Sequence, residues 1–165
     1  LELKEESTFA WRDVLEWGEP IRLANGLEWR APQGGARAAV WYTTAAAQGF
    51  LGYAEAVRQL RAGVGAEGES ALAEVRVGTR AALSGRTSRW VYPEGSLVGS
   101  ASRVVVTETV LVPDGEGMYT ARLRADKDAF EEAAPRGRRL LEQLYLGPPK
   151  PKAPPKQDTL IFYPP

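Results

Sequence analysis

The chain contains no histidine and no cysteine. Those two absences remove the imidazole general base, the thiol nucleophile, the disulfide and the commonest zinc and haem ligands. No Ser-His-Asp triad can be assembled, and no metal site or cofactor is expected. Methionine occurs only at Met118 and asparagine only at Asn25, while arginine outnumbers lysine. A composition so lean in heat-labile side chains is thermophile-like. An excess of either charge is also missing, because Lys+Arg 21 balance Asp+Glu 21. A protein that neutralises several phosphates normally carries a basic surplus, so no nucleic-acid partner is expected. Long apolar runs are absent as well, which predicts no membrane span. The acidic opening Leu1-Glu2-Leu3-Lys4-Glu5-Glu6 is no signal peptide. The expected location is cytoplasmic if the chain is complete, and exported if an N-terminal signal has been removed.

The 165 residues, 44% of them apolar, suit one hydrophobic core. The chain divides into a single α/β domain over residues 1–147 and a Pro-rich tail over 148–165 that ends apolar. Residues 7–17 begin with a Ser/Thr cap and place Phe9, Val14 and Trp17 along one side of a short helix. Ile21-Arg22-Leu23 and Leu27-Glu28-Trp29 flank Asn25-Gly26, a hairpin signal in which both central residues take positive φ. In 36–43, Ala38, Val40 and Tyr42 alternate with Arg37, Ala39 and Trp41, predicting a strand. Phe50, Tyr53, Ala54, Val57, Leu60 and Val64 recur at helical spacing, and Gly63, Gly65 and Gly68 are expected to stop that helix. Residues 71–83 read as a long strand or bent pair, broken at Gly85 before 86–92. Residues 103–112 form a β-branched strand joined through Pro113-Asp114-Gly115 to a partner over 118–125. Asp126 or Asp128 caps a last helix that Pro135 and Gly137 break or restart, with its end at Gly147-Pro148.

Three groups of residues invite a functional reading. Arg37, Arg76, Arg80, Arg86, Arg89, Arg103, Arg122 and Arg124 fall on strands and can form a cationic surface for an acidic partner or an anionic ligand. Arg/Glu networks on any exposed sheet give the same pattern. Trp29, Trp41, Tyr42, Trp90 and Tyr92 can line an aromatic groove, or fill the space between sheet and helices. Ligand contacts are assigned to Trp41, Trp90, Tyr92, Arg89, Arg122 and Arg124. Carboxylates at Asp13, Glu28, Glu74, Glu108, Asp126 and Asp128 are the material for acid–base chemistry, but nothing in their spacing selects a pair. No catalytic residue is assigned. In the tail, Leu160, Ile161, Phe162 and Tyr163 follow a polyproline-like leash that reaches roughly 37 Å at about 3.1 Å per residue. This apolar end is expected to dock on a sheet edge or groove of its own body or of a second copy, as a homodimer.

Residues 18–147 resemble the PsbP-like superfamily, which includes an extrinsic photosystem II subunit, a Ran-binding nuclear import factor and many bacterial proteins. The resemblance rests on the hairpin 21–32, on Val75-Arg76-Val77-Gly78-Thr79-Arg80-Ala81, on Gly117-Met118-Tyr119-Thr120-Ala121, and on Phe130 with Leu140-Leu141-Glu142-Gln143-Leu144-Tyr145-Leu146. It implies an α+β fold, an α-β-α sandwich whose central antiparallel sheet of about six strands is flanked by helices. Members of the superfamily act in binding or assembly. The histidine involved in the photosynthetic member's metal association has no counterpart here. The expected function is a non-enzymatic interaction or assembly module with an unknown protein partner. The alternative is a binder of a small anionic or apolar ligand in a sheet–helix groove, and a carboxylate-based hydrolase comes third.

Overall fold

A computed structural model describes residues 3–6, 9–12, 17–31, 35–44, 46–47, 49–66, 72–91 and 103–147. The tail expectations at Leu160, Ile161, Phe162 and Tyr163, and that at Tyr92, lie outside the described residues. In chain order the elements are β1 (Leu3–Glu6), β2 (Phe9–Arg12), β3 (Ile21–Arg22), β4 (Gly26–Arg30), β5 (Arg37–Thr43), α1 (Tyr53–Ala66), β6 (Ala73–Val77), β7 (Arg80–Val91), β8 (Arg103–Asp114), β9 (Gly117–Asp126), α2 (Lys127–Glu142) and β10 (Leu144–Tyr145). The fold is α+β. An antiparallel sheet of seven strands, one more than expected, runs in the order β3-β4-β5-β9-β8-β7-β6, and β1, β2 and β10 form a second sheet.

Two long hairpins carry the main sheet. The β-branched stretch Val104–Thr107 and its continuation through Val110 favour extended backbone, and β8 pairs with β9 from Val105↔Asp126 to Asp114↔Gly117. The turn is one residue later than Pro113-Asp114-Gly115 suggests, since Gly115 takes φ 63 and Gly117 already pairs with Asp114. The bent pair expected over 71–83 forms within the described residues from Ala73, with β6 and β7 joined at Gly78-Thr79 and Gly78 at φ 61. In β5, Ala38, Val40 and Tyr42 are buried as their alternation demands, and they pair with Leu123, Ala121 and Tyr119 of β9.

One face of the sheet holds most of the core: Leu27, Trp29, Val40, Val112, Tyr119 and Leu123, under Phe130, Ala134 and Leu140 of α2. Enclosing Phe130 contributes about 1.5–3 kcal/mol. Gly137 of α2 sits against Leu123, and an added Cβ would stand 2.8 Å from Leu123 Cδ2. α1 touches residues of the opposite parity. Gly63 of α1 lies against Thr87, and Gly85 faces Val64 and Leu60; Gly85 and Thr87 pair with Thr109 and Thr107, whereas Leu123 pairs with Glu108.

These contacts explain several departures from the sequence reading. Gly63 and Gly65 do not stop α1, and Gly85 does not break β7, which runs unbroken for 12 residues. At Gly63 and Gly85 the missing side chains let helix and sheet approach. Pro135 and Gly137 likewise leave α2 continuous: Pro135 is exposed, so the carbonyl that loses its partner lies on the solvent side. α2 ends at Glu142, and Leu144–Tyr145 pair with Trp11 and Ala10 of β2 instead of extending the helix. The helix expected over 7–17 is replaced at Phe9–Arg12 by a strand held between β1 and β10, a partnership that outweighs the marginal stability of a short helix. The 21–29 hairpin forms, with Leu23 N–H donating to the Gly26 carbonyl at 2.8 Å, but Gly26 lies within β4 and does not have positive φ. Its role is close approach, because a Cβ there would fall 2.6 Å from Trp41 Cβ.

Gly26→Ala is therefore expected to cost roughly 3 kcal/mol, since the obstruction is backbone and Cβ of β5, and Gly85→Ala about 1–2 kcal/mol, since Leu72 and Val64 side-chain ends can shift. Urea unfolding of both variants checks this order; a larger loss at Gly85 would contradict it.

Candidate functional site

Strand pairing collects arginines that lie far apart in the chain. Arg30 of β4 is opposite Arg37 of β5, and Arg37 is opposite Arg124 of β9. Directly opposed Cβ atoms on a sheet are about 5 Å apart, and like charges so placed are destabilising. Two residues along β9, on the same face, the Arg122 guanidinium lies over the Trp41 ring at 4.8 Å. Arg89 pairs with Val105, which pairs in turn with Asp126, so Arg89 and Asp126 belong to this face too. Arg103, two residues from Val105, completes it. α1 packs against β7 and β8 on this face, while Arg30, Arg37, Arg89, Arg103 and Arg122 are exposed and Arg124 is half-buried.

Among the described residues, two carboxylates stand on this face against the six guanidinium groups. Glu28 lies 4.0 Å from both Arg30 and Arg37, the outer limit of an ion pair, and Asp126 is 3.3 Å from Arg103. Arg122 feels the crowding. Its pKa is pushed below the ordinary guanidinium value, first by loss of solvent against the Trp41 ring and the sheet and then by the positive charges of Arg124 and Arg89. Between Arg37, Arg103 and Arg124 the surface dips into an open groove of about 340 Å³ that Gly35, Val105 and Asp126 also line. Multiple guanidinium forks beside a shallow groove can hold carboxylate or phosphate oxygens in a two-pronged way.

Of the residues assigned to ligand contact, Trp41, Arg89, Arg122 and Arg124 share this face. Trp90 does not. It pairs with Val104, one step out of phase with Arg89, and stands 61% exposed on the other side, so Trp41 and Trp90 line no common groove. Trp29 and Tyr42 are core residues. Arg30 was not singled out by the sequence, and Arg37 and Arg103 entered only as strand arginines; the only signal for the row is register, which local spacing does not carry.

Other charged groups have structural work. Arg86 is over the Phe130 ring at 4.8 Å and bonds Glu108 and Glu131 at 3.4 and 3.1 Å. Arg80, enclosed at the start of β7, donates to Asp114 Oδ1 at 2.9 Å, to the Pro113 carbonyl at 2.7 Å and to the Gly147 carbonyl at 3.1 Å. The carboxylates do not converge: Glu28, Glu108 and Asp126 are each paired with arginine, Glu74 and Asp128 are exposed on separate elements, and Asp13 lies outside the described residues. Among the described residues no cluster suits a metal ion, and no helix is long and apolar enough to cross a membrane. Under α2, between Val40, Val110, Leu123 and Leu140, there is a small, partly open cavity of about 20 Å³. That is room for about one water and far below a ligand pocket of about 300 Å³.

No family model matches the chain, and no curated protein matches it. Among solved structures it is similar to a crystal structure of a protein from Bacteroides thetaiotaomicron, with a TM-score of 0.51 and 12% identity, over 86% of this chain and 46% of that one. The chain thus spans less than half the length of that protein, and at this identity the likeness concerns the fold alone.

Three outcomes follow from these arrangements. Arg80→Met strands the Asp114 carboxylate in the core and is expected to cost about 3–5 kcal/mol, most of it recovered by Arg80→Met with Asp114→Leu. Equal losses in urea for the single and double variants would refute that account. Arg124→Glu converts an Arg–Arg opposition into an ion pair with Arg37, and should stabilise the fold by about 0.2–1 kcal/mol at low salt. Sulfate should raise the melting temperature of the unaltered protein more than chloride at equal ionic strength, and this difference should shrink in Arg124→Glu; identical responses in both proteins would show that the row holds no anion.

Proposed function

We propose that this protein is a non-enzymatic interaction module whose working surface is the arginine face of β4, β5, β9, β8 and β7, and that its partner is an acidic protein segment. The observation that carries the reading is the row Arg30, Arg37, Arg124, a like-charge alignment across three strands in a chain of formal net charge +0. A neutral protein gains nothing in folding from such a row, so the cost points to a ligand that offsets it. Width favours a macromolecule over a single small anion. From Arg30 on β4 to Arg89 on β7 the face crosses five strands, about 19 Å at about 4.8 Å per strand. A lone phosphate would engage one fork of it, whereas an extended run of Asp and Glu would engage several. The Trp41 ring under Arg122 adds an apolar platform for aliphatic or aromatic side chains between the acids.

The same proposal takes the two helices to cover opposite faces of the sheet, as an α-β-α layering, from the opposite parity of the strand residues they touch. It keeps the PsbP-like plan for residues 18–147, in which binding and assembly roles are at home.

The test is binding of a fluorescent oligoglutamate peptide at low and at physiological salt, with duplex DNA in parallel. Arg37→Gln with Arg124→Gln should weaken the peptide about tenfold or more, the equivalent of roughly 1.4 kcal/mol, while the fold becomes no less stable because the opposed charges are gone. Tighter binding of DNA than of the peptide, or a double variant that binds as well as the unaltered chain, would defeat the proposal.

A further inference from the structure

β6 closes one side of the main sheet, and among the described residues no strand pairs with its outer edge. At the opposite side β3 is only 2 residues long. β6 has 5, Ala73-Glu74-Val75-Arg76-Val77, of which Ala73, Glu74 and Arg76 are exposed. An edge of this length with open backbone groups is a template for another strand.

The β6–β7 turn determines which backbone groups point outward. Val77 and Arg80 flank a two-residue turn, Gly78-Thr79, and Gly78 at φ 61 suits the first central position of a type I′ or II′ hairpin. The residues that close such a turn exchange both hydrogen bonds. Bonded and non-bonded pairs then alternate along the hairpin, so Val77 and Val75 bond inward to Arg80 and Ala82, while Arg76 and Glu74 direct their N–H and C=O groups to the open side.

We infer that β6 pairs antiparallel with β6 of a second copy of this chain, about a two-fold axis through Val75. Only that register sets Glu74 opposite Arg76 of the second copy, and by symmetry Arg76 opposite its Glu74. Both positions are those with outward backbone groups, so each pair exchanges two backbone hydrogen bonds and brings opposite charges together on one face. The strand is self-complementary under a two-fold rotation, as an isologous contact must be. Parallel pairing would align like charges, and an axis through Ala73 or Val77 would leave Glu74 and Arg76 unmatched. Arg76 Nη1 donates to the Thr79 carbonyl at 3.3 Å, which steadies the side chain and leaves its other N–H groups for a carboxylate across the axis. Beside the edge an open recess of about 640 Å³, lined by Tyr53, Glu74, Arg76, Leu83 and Pro113, gives the second copy's side chains room.

Sedimentation equilibrium of the full chain over about a hundredfold range of concentration tests this pairing. The unaltered protein should approach twice 18.0 kDa at the upper end. Glu74→Arg alone, and Arg76→Glu alone, each create two like-charge oppositions and should sediment as monomers, with the melting temperature that the unaltered chain has when diluted below its dimerisation range. The two reversals together restore complementarity and should restore the dimer. A monomeric unaltered chain throughout the range, single reversals that leave the mass unchanged, or a double reversal that stays monomeric would each overturn the inference.

Discussion

The Arg80–Asp114 ion pair ties together three parts of the chain at one end of the sheet. Arg80 opens β7, Asp114 closes β8, and Gly147, whose carbonyl Arg80 also holds, follows β10. Enclosing two charges carries a large desolvation cost, and attraction between them seldom repays it alone. Here the guanidinium also binds the Pro113 carbonyl and lies 5.9 Å from the Tyr119 ring centre, so its donors are spread over backbone, carboxylate and π-face. The effect is positional. The contacts fix the end of β8, next to its turn into β9, beside the start of β7, and hold the chain just after β10, which pairs with β2.

The β8–β9 register is what makes the arginine face. β9 lies between β5 and β8, and each of its outward residues is placed by both neighbours: Arg124 opposite Arg37 and Thr107, Arg122 opposite Ala39 and Thr109. A slip of one residue would turn every one of these side chains to the other face. The core side of the same strands, with Tyr119, Ala121 and Leu123 buried, resists such a slip. Packing on one side of the sheet thus sustains an electrostatically unfavourable arrangement on the other. Core packing and a dense cationic surface occupy the same strand on alternate residues.

What the sequence made legible was local. Alternation in 36–43 identified β5 and its inward residues, the 3.6-residue period identified α1, and glycine-bearing turns identified the hairpins. Local period cannot report neighbours across the sheet. β5 and β9 are adjacent although nearly half the chain separates them, so the row Arg30, Arg37, Arg124 had no signature before pairing. Glycine was the recurrent source of error. Gly26, Gly63, Gly85 and Gly137 read as turn or breaker residues, yet Gly26, Gly85 and Gly137 sit where another element comes too near for a Cβ, and Gly63 lies in tight contact with Thr87. Both roles demand the same residue, and only the tertiary neighbour tells them apart. The aromatic pair was misjudged for the reason that served β5 well: Arg89 and Trp90 are consecutive in a strand and therefore face opposite ways.

The Trp41–Arg122 stack gives the face an intrinsic optical gauge. An indole under a cation emits according to the local field, and that field changes whenever an acid settles on the guanidinium above it. Among the five tryptophans, Trp41 is thus the one whose emission is tied to the charge state of this face.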